Sequence, residues 1–553
     1  MPRFSILLAV ILMPNLLAPV AHSRLVPWYG PLLAALLVLW AGGLYVAGAA
    51  PGLTWAHEAA DGGELVTAAI VNGVPHPPGY PLYMLLLQAW LWLAQVIDPG
   101  GDLVRQAAWL SALCAALSVG VTLAAAHHLL AQQAERDPMG PPIYPLLWAA
   151  LAAAAWAISP LLWSQAVVAE VYGLHALLIA LLGWVVLVHP DKLWVVAVVV
   201  ALGVANHLTT LLLLPAAIYA IWTRDDGQDM APSAGRALES NARILAIVGA
   251  VAAGLVLGAL FYLRIPWAAG AAPPINWGYA DNWQGFWWLV SGAAYRGYLF
   301  DDLPASLLPR IAGWAYTITA QYTPVGLALA LLGLAYWDRT AAHLRNFSLL
   351  WLLPVSAYTV AYNTRDSDIY LLAAGWIMAL WLAVGMAQVG GWIVQRWPQP
   401  QWGRAPVGVV LLAAAFGIGL AGLAGWRWPQ TALGADRAAR DYLAQVAEVV
   451  EPGSIVVTLE DRETFALWYG VWGSQASAEH LAGVIPVNDS LYQFDWYRRL
   501  QADLHPEIAG IGESVGALIA TNRGVRPIYF AQLPAPVAES ELTPAGPLWR
   551  LKE

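Results

Sequence analysis

The sequence predicts a mainly α, polytopic helical membrane protein with a small α/β domain at its carboxy end. Three observations predict it. Hydrophobic residues make up 59% of the 553 positions and charged residues only 11%, outside the ordinary soluble range. Apolar runs recur near 31–50, 79–97, 107–131, 144–163, 170–188, 192–222, 244–265, 311–336, 347–362, 369–395 and 405–426. A bilayer crossing takes about 20 such residues, which gives about eleven transmembrane helices. Beyond residue 426 the pattern changes to short apolar strands alternating with amphipathic helices.

Each part of the chain follows from local signals. Residues 1–426 form the membrane domain, with extracytoplasmic loops at 51–78 and 266–310. Arg3 and Arg24 precede the first strong span, which puts the amino terminus in the cytoplasm and the 51–78 loop outside. Arg224, Arg236 and Arg243, then Arg339 and Arg345, then Arg396 and Arg404 mark three further cytoplasmic turns. Counting crossings from them places 266–310, 363–368 and everything after 427 outside. The apolar stretch 4–20 fits a signal peptide, an extra short helix or an upstream-chosen start.

One segment resists simple parity. Gln165 and Glu170 fall on the cytoplasmic side if 192–222 is a single crossing. They fall outside if that run is two short helices broken at Asn206–His207, with one non-spanning segment earlier. Glu170 reads either as an acid hydrogen-bonded between helices or as part of the outer pocket. His207, inside an apolar stretch, is either a packing contact or a contact to a lipid-linked phosphate.

After 427, DRAARDYLAQVAEVV reads as a helix, GSIVVTLED as a strand, ETFALWYGVWG as a helix, and GVIPVND and RPIYFAQ as further strands. Residues 427–553 are therefore an extracytoplasmic α/β accessory domain, suited to binding an acceptor. Glu460 and Asp461 end its first strand, where α/β folds often bind ligands. The net charge of −9, without a basic patch, gives no sign of nucleic acid as a partner. A lone Cys114 allows neither a disulfide framework nor a cysteine metal site. No Walker or dinucleotide loop is present, so ATP and NAD chemistry are unsupported.

Chemistry-bearing residues concentrate between Trp55 and Tyr83, WAHEAADGGELVTAAIVNGVPHPPGYPLY. EAADGGELVTAAIVNG fits a short helix on which Asp61 and Glu64, three apart, share a face. Pro75, Pro77, Pro78 and Pro81 forbid regular helix around His76 and stiffen its backbone. Ionisable groups beside a bilayer are usually there for a task. The stretch PPINWGYADNWQGFWW joins aromatic faces, Trp277 among them, to Asp281 and neighbouring amides, a mixture suited to sugar rings or to lipid headgroups.

DGGELVTAA followed by GVPHPPGYPLY resembles the first extracytoplasmic loop of the polytopic protein O-mannosyltransferases related to GT-C glycosyltransferases. SQAVVAEVYGLH at 164–175, PPINWGYADNWQGFWWLVSG at 273–292 and YNTRDSDIYLL at 362–372 fit the same family. The resemblance implies a GT-C-type fold in the cell membrane. It also implies transfer of a mannose-like sugar from a polyprenyl-phosphate-linked donor to an extracytoplasmic protein or glycan hydroxyl, with Asp61 as general base. Position suggests the remaining roles. Glu64 orients the acceptor or holds a divalent metal such as Mg or Mn, and His76 or Arg365 meets the phosphate. Glu170, His207, Trp277, Asp281 and Asp366 join the substrate-binding set. A direct displacement inverts the anomeric centre, whereas retention would need a second carboxylate about 5 Å away. A transporter or flippase of a lipid-linked saccharide is the alternative, although no internal repeat supports it.

Overall fold

The computed structural model describes residues 29–137, 144–223, 234–396, 401–402, 405–474, 477, 479–533 and 537–553. The apolar stretch 4–20 and Arg3, Arg24, Arg224 and Arg404 lie outside the described residues, as does the side chain of Arg236. Six helices among the described residues are long and apolar enough to cross a membrane. One bent pair and four shorter apolar helices accompany them, making eleven apolar segments. The protein is a multi-pass membrane protein.

The first span, α1 (Tyr29–Gly48), is an unbroken apolar run. A short helix α2 (Asp61–Ile70) follows, and α3 (Pro81–Ile97) opens on a proline that needs no amide partner at its first turn. The long α4 (Leu103–Arg136) is capped by Asp102, whose carboxylate accepts from the Val104 and Arg105 amides at 3.0 and 3.1 Å. Next come α5 (Pro145–Ala157) and α6 (Pro160–Ala166), bent by 60° at Ile158–Ser159. After α7 (Tyr172–Val188), the 192–222 run divides into α8 (Leu193–Asn206) and, after a 3₁₀ lead-in, α9 (Leu214–Trp222). His207 between them is extended, with φ −152°. The break falls at Asn206–His207, the version that allows Glu170 to share the side of Asp61.

Helix α10 (Ala234–Phe261) leads through α11 (Arg264–Ala269) and α12 (Trp283–Val290) to three more long helices. These are α13 (Leu303–Thr340), α14 (Ala342–Ala361) and α15 (Leu372–Arg396), with α16 (Val407–Thr431) after them. Backbones of α13 and α15 touch because Gly385 carries no side chain. A Cβ there would lie 1.9 Å from the Leu329 carbonyl oxygen, the close approach that small residues permit between membrane helices.

The carboxy-terminal region builds a five-stranded sheet from β1 (Ile455–Thr458), β2 (Ile485–Asn488), β3 (Ile528–Phe530), β4 (Leu542–Ala545) and β5 (Leu548–Leu551). Its order is β2-β1-β3-β5-β4. β1 pairs in parallel with both β2 and β3, and all four of its residues are buried, as a central parallel strand requires. The helices are α17 (Ala438–Val449), α18 (Asp461–Trp468), α19 (Asp495–Leu504) and α20 (Val515–Asn522).

This unit is seated on the membrane helices at defined points. Trp55 Nε1 donates to the Arg462 carbonyl at 3.1 Å, and His57 Nε2 lies 3.0 Å from the Thr431 carbonyl at the end of α16. α18 packs against α2 across Gly63, where a Cβ would stand 2.7 Å from the Phe465 carbonyl oxygen. The Phe465 backbone cannot yield, and the Leu53 side chain, 3.1 Å from the same point, closes the other approach. Gly63→Ala is expected to cost about 1–3 kcal/mol through this overpacking. A lower melting temperature and earlier proteolytic release of the 432–553 region in detergent would register it.

Candidate active site

Helix α2 and the proline-stiffened turn after it bring three side chains together. Glu64 is fully buried, with both carboxylate oxygens on His76: Oε2 bonds Nδ1, and Oε1 accepts from the His76 amide at 3.1 Å. The other ring nitrogen, Nε2, lies 3.0 Å from the Tyr80 hydroxyl and 3.5 Å from Asp61 Oδ2. The imidazole is thus clamped from one side and presented to Asp61 from the other. Asp61 keeps about a third of its side chain open (35%), whereas Glu64 has none.

Electrostatics follow from this packing. Burial works against a charge on His76, but Asp61 and Glu64 outweigh it and, with Glu170 adding, push the imidazole up to about 10. Burial also raises Asp61. His76 opposes that rise and Glu64 and Asp366 add to it, leaving the carboxyl at about 6. At neutral pH the site therefore holds a histidinium facing a carboxylate more basic than usual.

Other elements wall the pocket. Asn276 and Trp277 are pinned to the α2–α3 turn by backbone bonds, Val74 N to Ile275 O at 2.8 Å and Trp277 N to Val74 O at 3.1 Å. Trp277 is buried edge-on to His76, ring centroids 6.3 Å apart. Glu170, in the turn between α6 and α7, is buried. Its backbone is held by Ser111, its Oε2 accepts from Val171 N at 3.3 Å, and its Oε1 has no hydrogen-bond partner among the described residues. His207 stacks on Tyr80 at 5.9 Å and lies 5.7 Å from Tyr370, which continues an aromatic wall through Tyr172, Tyr358 and Tyr362. Nothing in the sequence signalled that wall, because its members come from four separate segments.

Two expectations change once the side chains are placed. Glu64 cannot reach an acceptor, because both its oxygens are engaged with His76 in a solvent-free position. Asp281 pairs with Arg499 of α19 at 3.1 Å and accepts from the Asn282 amide at 2.8 Å, so it joins loop to domain rather than the acid–histidine cluster. Arg365 is exposed, with no ion pair among the described residues, one position before Asp366. Among those residues no three His, Cys, Asp or Glu side chains converge in a way that could hold a metal ion.

The fold and pocket define a class: a polytopic membrane protein whose acid–histidine site lies where its helices meet a folded domain. Residues 61–230 match the family model of the Protein O-mannosyl-transferase TMEM260 N-terminal domain. The chain is 32% identical over 122 residues to the Protein O-mannosyl-transferase TMEM260 of Mus musculus, a match that spans 22% of this chain and 15% of that protein. Among solved structures, ArnT from Cupriavidus metallidurans in the apo state gives 14% identity and a TM-score of 0.48, covering 90% of this chain and 92% of that one. The same protein bound to undecaprenyl phosphate gives 13% and 0.47, over 84% and 92%. The S. cerevisiae Pmt1-Pmt2 complex bound to the sugar donor gives 13% and 0.33, over 48% and 37%.

Proposed function

We propose that this protein is a membrane glycosyltransferase of the GT-C kind. It would move a mannose-like sugar from a polyprenyl-phosphate donor to an acceptor hydroxyl, with Asp61 as general base. The observation that carries the reading is the Glu64–His76–Asp61 arrangement: a buried acid holds a histidinium, which holds an open carboxylate of raised basicity. In the step, the acceptor hydroxyl gives its proton to Asp61 as its oxygen bonds the anomeric carbon. The bond from that carbon to the phosphate oxygen breaks, and the polyprenyl phosphate leaves with the electron pair. A single displacement inverts the centre. Glu64 is the nearest candidate for a second nucleophile, and its engagement with His76 removes it from that role. Arg365, unpaired beside the pocket, is suited to the departing phosphate's charge.

The helix path supports an extracytoplasmic site. Arg339 and Arg345 lie near the α13–α14 turn and Arg396 ends α15, one helix length from the Tyr362–Tyr370 turn that walls the pocket. Positive residues favour the cytoplasm, so the pocket takes the other face. The test is transfer of radiolabelled mannose from synthetic polyprenyl-phosphate mannose by purified protein in detergent. Label on a serine- or threonine-containing peptide or a glycan acceptor is the expected result. No transfer to any acceptor or to water, with lipid-linked sugar crossing reconstituted vesicles, would replace this reading with the flippase.

A further inference from the structure

Asp461 stands outside the family-matched segment, in a domain the sequence reading treated as accessory. It opens α18, the helix seated on α2 across Gly63. Phe465 lies one turn further on, at i+4 and so on the same face, and its ring is 6.5 Å from Trp277, which itself covers His76. The face of α18 that carries Asp461 is therefore the one turned to the acid–histidine cluster.

The surrounding charges agree. The Asp461 side chain keeps an exposed edge, with the rest of it set against the protein. Burial by the surrounding protein raises its carboxyl to about 6, and Asp61 adds to the rise against the pull of His76, with Glu460 and Glu463 contributing. Tyr295, from the loop before α13, feels the same three acids: Asp461, Asp61 and Glu64. Arg462, the nearest base on α18, is drawn aside by Glu460 at 3.2 Å and Glu463 at 2.7 Å and sits over Trp55. Among the described residues Asp461 therefore makes no ion pair on its own helix, and Asp61 is near enough to act on its charge.

We infer that Asp461 is an acceptor-contacting residue contributed by the α/β domain, and that it selects a peptide acceptor with cationic or N–H-rich surroundings at the reacting hydroxyl. This rests on the glycosyltransferase reading. Tyr80, His207 and Tyr370 wall the pocket between the membrane helices, the side suited to a lipid-linked donor. The side formed by α18 belongs to the folded domain, where a water-borne acceptor arrives. Asp61, Asp366 and Asp461 give that opening a negative rim, since the one histidinium is already matched by Glu64.

Two threonine peptides identical except for flanking lysines or flanking glutamates test the inference on the full-length protein. Wild type is expected to show a KM about tenfold lower for the lysine peptide. Asp461→Asn should bring the two KM values within about twofold while kcat and the donor KM stay unchanged, and Asp461→Glu should restore the preference. The same preference in Asp461→Asn as in wild type would overturn the assignment. So would equal use of both peptides by wild type, a fall in kcat shared by both peptides, or transfer to a methyl glycoside in place of either peptide. A wild type that transfers sugar to neither peptide, glycoside nor water would instead sink the glycosyltransferase reading, and this inference with it.

Discussion

Asp61→Asn is expected to lower sugar transfer by roughly 10²–10⁴-fold, the usual contribution of a positioned general base. Asparagine keeps the shape of the side chain but cannot take the proton. The fold should survive, because Asp61 is partly open and Glu64 still holds His76. Single-turnover transfer, alongside a melting curve within about 1 kcal/mol of wild type, would separate lost chemistry from lost structure. In the wild type, kcat/KM should fall as pH drops through about 6, where burial has placed the Asp61 carboxyl, and should be level above pH 7. The acid limb reflects protonation of the base, and Asp61→Asn should abolish it along with the rate. Transfer by the variant equal to wild type would remove Asp61 from the reaction.

Glu64→Ala carries the second large effect, and it acts on stability as well as activity. Removing one member of a buried charged pair leaves the other without compensation, at a cost of about 3–5 kcal/mol. His76 would then keep only Asp61 and Tyr80 as neighbours on Nε2. Because its folded pKa is raised from 6.5 to about 10, the stabilisation from its charge is complete below pH 6.5 and is lost as pH rises through about 10. Thermal melts of Glu64→Ala and wild type should therefore differ most at neutral pH and converge in alkali. A difference that held constant across that range would mean the His76 charge is not what Glu64 supports.

How much of this was legible depends on the range of each contact. The pairing of Asp61 with Glu64 on α2 could be read from a spacing of three, and the fixing of His76 from the prolines round it, because both are local. Glu170 was ambiguous. Its side depended on whether the 192–222 run was one helix or two, and hydropathy cannot see a break whose residues remain apolar on both flanks. His207 at that break is extended, and its ring stacks on Tyr80, which precedes α3 in the chain. Asp281 looked like a sugar ligand because Arg499, its partner, lies 218 positions away. Asp461 was visible only as the end of a strand. What it faces is set by the docking of α18 on α2, and no periodicity in either segment encodes that contact.

That docking also fixes when the site is whole. Trp55 and the Arg462 carbonyl it bonds are 407 positions apart, so the floor of the pocket is made well before its roof during translation. Until α18 settles on Gly63, the side of the acid–histidine cluster that it covers stands open to bulk water. The site is therefore complete only once two segments far apart in the chain have met, and a change that loosens the α18–α2 contact acts on Asp61 and His76 without touching either residue.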